Sequence, residues 1–570
     1  MLMFGGSGVR KKSLFLYAAL ITLSLVYFAV LYFAVRGIEA GEISEITPDD
    51  GDALIAGMLA QIERQDQIDN MLLSELSSGA YGFDDPLVVV DPYGMSPLTA
   101  LALFGSDEPV NISIHIPGNT ESADIVYTFE GYHTLHMVPI YGLYPGKSNT
   151  AILTAKTLSG VLQTSELEIE TEPLPPELAR NIILTDSVQP ENYQPGFNYT
   201  FIPKTAFDIN GQYRWFYNDF GLLHTALYDY YGHMVFSKGN YHEGDTLLFS
   251  VNALGRVHSV YYSPYGAHHD IASSNGSLLV TGSRGETIED IIYEIDKESG
   301  DIINILDLKY VFQRTRPSRF PFYTTTDWFH HNAVLYDSGS IIISGRNQSA
   351  AARITWPEGK ILWILSDHSG WNLMFQKYLL TPVGDGFEWF FDQHTPRILP
   401  DFDDNPDTID ILLFDNGTSR FDSFTELRDI LAEGDYAASE PYSRLVHYRI
   451  DERAMTVEQV WQFGKELGGA YHSFWASSAD YLENGNRLGA FDRNSFLQEQ
   501  EFVRINANFI EVDSTGRIVW EAYAASTDST GDFLAYRLER RPLYTSAANN
   551  LNIGVPVQVL IPEQVMRAAK

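Results

Sequence analysis

The histidines of this chain are unevenly spread, and their neighbours are the residues that acid–base and anion chemistry require. His268, His269 and Asp270 form HHD directly before an apolar run, and His330, His331 and Asn332 end DWFHHN before another. Arg346 follows the apolar run IIIS in SGRNQS, His394 lies in DQHTP and His472 in YHSFW. Imidazole with carboxylate suits zinc or iron, so a metal site is one reading. Arg never ligates a metal and repels a cation. Arg346 and an Asn beside several His therefore favour a pocket for an oxyanion such as phosphate or sulfate. Taken singly, each His is more commonly a surface or hydrogen-bonded structural residue. Taken together they are not, because burying several His and an Arg without an anion leaves donors unsatisfied.

Segments this far apart meet only if the fold returns them to one place. Between about 179 and 570 a loose repeat offers that. A strand, an acidic turn with Gly and a strand ending in an aromatic recur as FDINGQYRWFY (207–217), EIDKESGDIINIL (294–306), ITWPEGKILWIL (354–365) and EVDSTGRIVWEAY (511–523), with a weaker copy at 448–463. Asp and Gly supply the tight hairpin turn, and the aromatic packs between sheets. Trp215, Trp363, Trp461 and Trp520 are accordingly read as core. A second unit, GDTLLFSVN, GSLLVTGSR, GSIIISGRN and DILLFDNGT, is read as one inner strand per repeat. Repeated hairpins of this kind predict an all-β propeller, in which inner strand ends converge on one mouth of a central channel.

Upstream, residues 84–178 alternate in short runs between turn residues, predicting a small antiparallel, sandwich-like domain closed by the Pro-rich TEPLPPELAR. Residues 36–83 read as a helical linker, with Leu54, Met58, Leu59, Ile62, Ile68, Met71 and Leu72 at helical spacing, serving as a spacer or stalk. Leu14–Val35 is 22 residues without a charge, enough to cross a membrane as a helix. Arg10, Lys11 and Lys12 precede it, while Glu39, Glu42, Glu45, Asp49 and Asp50 follow. The positive-inside bias puts residues 1–13 in the cytoplasm and the rest outside, periplasmic or at the cell surface. No A-x-A-like ending follows the span, which favours an uncleaved signal anchor over a cleaved signal.

The 570 residues exceed one ordinary core, and 45% apolar with 13% aromatic content argues against disorder. A net charge of −36 argues against nucleic acid as a partner. Only 12 of the 38 basic residues are Lys, which fits either a protein soluble in high salt or an ordinary acidic secreted one. With no Cys, disulfides, thiolate catalysis and Cys-ligated metals are excluded. The five N-x-[ST] sequons (Asn111, Asn198, Asn275, Asn347, Asn416) occur at chance frequency.

Several long blocks, in order, are similar to the PAPS-independent arylsulfotransferases (aryl-sulfate sulfotransferases). They are DPYGMSPLTALALF (91–104), PIYGLYPG (139–146), DWFHHNAVLYDSGSIIISGRNQSA (327–350), FEWFFDQHTPRIL (387–399), LLFDNGTSR (412–420) and YSRLVHYRIDERAMTVEQVWQFGKELG (442–468). The resemblance runs from roughly residue 84 to the C-terminal region. It implies a six-bladed propeller (179–570) behind a small N-terminal β domain, and a homodimer formed through that domain. It also implies ping-pong transfer of a sulfuryl group from an aryl sulfate donor to a phenolic acceptor, with no cofactor and no metal. His394, in the block matching the family's QHT motif, would be the nucleophile that is transiently sulfated. His269, His330, Asn332 and Arg346 fall on the other sulfate-site positions; in HHD the second His aligns, since Asp270 and Ile271 follow it.

Neutral imidazole is a good nucleophile near pH 7, and its labile adduct divides one hard transfer into two easier ones. Arg346 and Asn332 would hold the sulfuryl oxygens, and His269 or His330 would protonate the departing phenoxide. Ala476 and Asn347 depart from the family pattern and bear on acceptor preference. The family's cysteine pair is missing, so dependence on a dedicated disulfide catalyst is not expected. Two other readings remain for the same scaffold: a sulfate or phosphate ester hydrolase with water as acceptor, and a non-catalytic surface binding propeller.

Overall fold

A computed structural model describes residues 48–201, 204–219, 226–228, 232–240, 242, 244–318, 324–420, 441–493, 506–526 and 535–568. The Leu14–Val35 segment lies outside the described residues. Among those described, no helix is long and apolar enough to cross a membrane. The chain divides into two compact units, Met1–Leu54 and Ile55–Lys570. The described part of the first, Pro48–Leu54, forms the opening turns of helix α1 (Pro48–Ser77). Everything below concerns the second unit.

From Ile55 onward, α1 buries Ile55, Met58, Gln65, Asp69, Leu72 and Leu76, which share one helical face. Two of these are polar, and each meets a matching group. The Asp69 carboxylate accepts from Arg256 Nη2 at 2.6 Å, Tyr93 Oη at 2.8 Å and Gly554 N at 2.9 Å. Gln65 exchanges two hydrogen bonds with the Val257 backbone, at 2.7 and 3.0 Å. The helix is therefore docked on the body, where its apolar spacing suggested a spacer. Periodicity found the helix but misjudged its face: Met71 is 49% exposed, while Gln65 and Asp69 lie beneath.

Residues 87–170 form one connected antiparallel sheet around the 18-residue strand Thr99–Ile116. Its first half pairs with Leu87–Val90 and His133–Tyr141, and its second with Ser148–Thr157 and Ile125–Thr128. A register break between Gly105 and Val110 divides the halves, which is how one strand serves two layers. Arg214 anchors this domain to the next by donating to the carbonyls of Gly142 (2.6 Å) and Ala123 (2.9 Å).

Six further sheets of four or five strands follow. Their innermost strands are β1 (Ala226–Tyr228), β2 (Ile271–Ser274), β3 (His331–Asp337), β4 (His394–Ile398), β5 (Ser478–Tyr481) and β6 (Leu538–Arg541). Each touches the next in that order, as the blades of a propeller-like ring do. β6, from the C-terminal region, completes the sheet whose other strands are Phe197–Phe201, Lys204–Phe207 and Tyr213–Phe216. The strand Asn181–Val188 adds to the outer edge of the β5 blade. Distant parts of the chain thus share sheets and close the ring.

All five copies of the acidic-turn repeat are hairpins joining the third and fourth strands of a blade. The Trp indoles reach the neighbouring blade: Trp215 donates to the Ala253 carbonyl at 2.8 Å, Trp520 to that of Ile209 at 3.0 Å, and Trp363 to Glu452 at 2.6 Å. Trp461 is only partly buried. The second repeat unit lies one strand out from the inner one in three copies and two strands out in the fourth. Ser277–Arg284, Ser340–Gly345 and Thr408–Asp415 are second strands, and Thr246–Val251 is a third. Strands covered on both faces read as continuous apolar runs, which drew attention away from the shorter, polar strands at the channel.

Candidate active site

Four consecutive inner strands are entered through a residue in left-handed backbone conformation that is not glycine. These are His269 (φ 51°) before β2, His330 (φ 55°) before β3, Asp392 (φ 55°) before β4 and Ser477 (φ 80°) before β5. His and Asp tolerate this region better than most residues. Each kink turns a short loop at the end of a strand.

His394 is the first residue of β4 and is buried. Its Nδ1 lies 2.7 Å from Asn416 Oδ1 and 3.1 Å from the Asp392 carbonyl. The Asn416 amide is oriented by its nitrogen, which donates to the carbonyls of Ser473 (3.0 Å) and Ala476 (3.2 Å). Two acceptors facing Nδ1 require a proton there, leaving the lone pair on Nε2. Burial, reinforced by the Arg346 charge, pushes this imidazole down to about 3, so it is neutral at pH 7. The loop itself is tied down on both sides. The Asp392 carboxylate accepts from the Ser419 hydroxyl at 2.7 Å, the Gln393 carbonyl accepts from Asn332 Nδ2 at 2.8 Å, and Thr395 Oγ1 accepts from Ala479 N at 3.0 Å.

His330 has the opposite environment. Its Nδ1 lies 2.5 Å from Glu289 Oε2 and 2.9 Å from Asp327 Oδ2. Burial and the neighbouring Arg346 oppose its protonation, yet the two carboxylates prevail and raise it to about 9. Its Nε2, across the ring, has no hydrogen-bond partner among the described residues. Arg346 opens a short turn after the second strand of the β3 blade, with its backbone N bonded to the His330 carbonyl at 3.1 Å. Its Nη2 stands 3.2 Å from His330 Nδ1. Two cations this close favour an anion beside them.

His269 lies beside His330, ring centroids 4.7 Å apart, with both ring nitrogens engaged. Nε2 is 3.3 Å from Glu289 Oε2 and Nδ1 is 2.8 Å from the Tyr536 hydroxyl. Tyr536 packs edge-on to His394 with centroids 5.9 Å apart, so it links the two halves of the cluster. Asp270 pins the assembly, accepting from Val334 N at 3.0 Å and Arg537 Nη1 at 2.9 Å. All five residues predicted for the site are buried: His269, His330, Asn332 and His394 at the entries of β2, β3 and β4, and Arg346 in the turn after the second strand of the β3 blade. Asn332 differs in use from expectation: one of its two N–H groups is spent on the loop before His394.

Among the described residues, two groups of side chains offer ligand atoms close enough together for a cation: His268, His269 and Glu289, and Glu289, Asp327 and His330. In the second group the His330 nitrogen and the carboxylates already bond one another beside the Arg346 guanidinium. These residues are therefore read as hydrogen-bond partners and not as ligands. Histidines 268, 331 and 472 are also buried, and burial pushes them down to about 4, 3 and 3.

Sequence reasoning missed Glu289, Tyr536, Asp327, Asp392 and Asn416. Asp327, Asp392 and Asn416 stand inside blocks already singled out, so their proximity in sequence to His330 and His394 was an available signal. Glu289 and Tyr536 carried none.

The family model described as "Arylsulfotransferase (ASST)" matches residues 197–537, and that described as "Arylsulfotransferase Ig-like domain" matches residues 87–172. The chain is 25% identical over 538 residues to the arylsulfate sulfotransferase AssT of Lelliottia amnigena, covering 72% of this chain and 85% of that protein. It is 25% identical over 529 residues to the arylsulfate sulfotransferase AssT of Escherichia coli O6:H1, covering 71% and 84%.

Proposed function

The chain belongs to the arylsulfotransferase family, and from that premise we propose that it moves a sulfuryl group from an aryl sulfate to a phenol in two steps, through a sulfohistidine on His394. The observation that carries this reading is the state of His394: neutral, with Nδ1 held by Asn416 and Asp392 and the lone pair on Nε2.

In the first step Nε2 of His394 attacks sulfur, the N–S bond forms, and the S–O bond to the aryl group breaks with its electron pair on the phenoxide oxygen. The protonated His330 supplies the proton from Nε2, since both nitrogens of His269 are engaged. In the second step the acceptor's O–H gives its proton back to His330 Nε2 as its oxygen attacks sulfur. The N–S pair then returns to His394. Arg346 holds the sulfuryl oxygens throughout, and Asn332 contributes its remaining N–H. We further propose that Leu14–Val35 anchors the protein with the propeller outside the membrane. Release of the protein by alkaline carbonate wash would overturn the anchor.

The test of the reaction uses the full chain with 4-nitrophenyl sulfate, with and without phenol. Nitrophenolate release is followed together with the mass of the His394 peptide. Phenol-dependent release with a sulfate-mass adduct on His394, lost in His394→Asn, is the expected result. Release indifferent to phenol would mean a hydrolase. Neither release nor adduct would leave a binding propeller.

A further inference from the structure

We infer that Glu289 is a positioning residue: it reaches from the β2 blade to orient His330 and His269 together, and so selects His330 as the group that exchanges protons with donor and acceptor. The inference rests on the function proposed above.

Glu289 lies in the strand Thr287–Asp296, the third of its blade. A side chain there would ordinarily pack within its own sheet. Instead the ladder slips between Gly282 and Arg284, and Glu289 itself has φ 55°, with its N–H bonded to Ser283 Oγ at 2.9 Å. A bulge with a left-handed residue re-aims a side chain, here into the cluster. The carboxylate is buried, and one oxygen, Oε2, meets both His330 Nδ1 at 2.5 Å and His269 Nε2 at 3.3 Å. The other, Oε1, is 3.8 Å from His242 Nδ1.

An ionised carboxylate set among imidazoles dictates their protons. Each nitrogen facing Oε2 must carry hydrogen, and the other nitrogen of His269, Nδ1, is taken by the Tyr536 hydroxyl, so that ring is used up. His330, with Nδ1–H turned to the carboxylates, presents Nε2 to whatever lies across the ring. The charged groups against His330 are Glu289, Asp327 and Arg346. Burial lowers the neighbouring rings of His268, His331 and His394 to about 4, 3 and 3 and leaves them uncharged. Both carboxylates raise His330, Asp327 with the larger charge effect; Glu289 is the more buried, its side chain at 4% against 16%, and it also meets His269 Nε2 at 3.3 Å. Burial works against the charge on Glu289, but His330 and His269 hold it well below the ordinary carboxylate range.

A general acid matters most when the leaving group is poor, and that separates positioning from scaffolding. The full chain and its Glu289→Gln and Glu289→Asp variants are compared with phenyl sulfate and 4-nitrophenyl sulfate as donors, from pH 6 to 10. Expected for Glu289→Gln is an alkaline limb at least about one pH unit lower, because one of two carboxylates favouring the imidazolium is neutralised. The rate loss should be at least about tenfold greater with phenyl sulfate than with 4-nitrophenyl sulfate. Glu289→Asp should fall between parent and Gln. Both readouts are positions or ratios, so they hold even if part of the variant misfolds. Equal losses with both donors and an unmoved limb would make Glu289 merely structural and overturn the inference. A parent enzyme that forms no His394 adduct would overturn the function itself, and the inference with it.

Discussion

The two ends of a blade solve the same backbone problem differently. At four of the outer hairpins the left-handed position is a glycine, Gly211, Gly300, Gly359 and Gly516, and in the β4 blade it is Met455. At the entries of the inner strands they are His269, His330, Asp392 and Ser477. A residue with a side chain holds this conformation at a cost of about 1–2 kcal/mol, which glycine avoids. Four such residues are a noticeable fraction of the roughly 5–15 kcal/mol by which a domain is stable. At the mouth, strained backbone and unmet hydrogen-bond capacity meet in one residue, His330, whose side chain is placed to serve a ligand.

If that division is real, charge removal at the two places should separate activity from stability. Arg346→Met should lower kcat/KM for the donor by about 10²–10³, the usual loss when one oxyanion donor is removed. Its thermal midpoint should stay near that of the parent. Arg540→Met breaks the bridge to Glu511, whose two side chains are fully buried in the packing between blades. It should cost about 3–5 kcal/mol of stability while leaving the rate per folded molecule nearly unchanged. Denaturant midpoints and active-site-normalised kinetics on both variants check the pair. An Arg346 variant that mainly unfolds would break the comparison.

Acid sharpens it. The buried His331 has a folded pKa of about 3, below the roughly 6.5 of an unfolded histidine. A depressed histidine contributes stability that is present above pH 6.5 or so and is lost as pH falls toward 3, because the unfolded chain takes up the proton first. His330 has the reverse sign: its contribution is full below about 6.5 and fades as pH rises through about 9. His331→Leu should therefore flatten the fall in stability between pH 6.5 and 4, by up to about 1.4 kcal/mol per pH unit. Urea titrations at several pH values measure that slope. An unchanged slope would mean that His331 is solvated in the native state.

The hairpin end of each blade was legible because turn chemistry is local. Asp and Gly at fixed offsets mark the turn, and a Trp marks the face that packs on the next blade. Five of six third-to-fourth-strand hairpins were read this way. The sixth, between Thr246–Val251 and Val257–Ser263, turns on Asn252 and lacks the acidic signal. At the mouth, the His, Asn and Arg clusters suggested an oxyanion pocket by residue type, and the long blocks of resemblance picked out His269, His330, Asn332, Arg346 and His394 among them. Glu289 stayed hidden for a physical reason: a carboxylate within a β-strand reads as a solvent-facing position, and nothing local announces that a bulge will turn it inward. Asn416 was counted as a chance sequon because its partner, His394, is 22 residues away across two strands.

The smallest effect tests the outer end alone. Gly300 sits in the turn between Thr287–Asp296 and Ile302–Asp307 at φ 75°, and a Cβ there would lie 2.6 Å from Leu560 Cβ and 2.8 Å from the Leu560 carbonyl oxygen. Gly339 holds a similar φ of 82° with nothing within 4 Å of where its Cβ would be. Gly339→Ala should therefore lose only the conformational part, about 1 kcal/mol, and Gly300→Ala somewhat more, since the strand Gln558–Leu560 must also shift. Neither should change kcat/KM for an aryl sulfate, because Glu289, the site residue nearest to Gly300 in sequence, is held by Ser283 and by the histidines and not by this turn. A kinetic defect in Gly300→Ala at full folding would show that the hairpin's register reaches the carboxylate. The outer and inner ends of the β2 blade would then be one mechanical element, and the division drawn between them would fail there first.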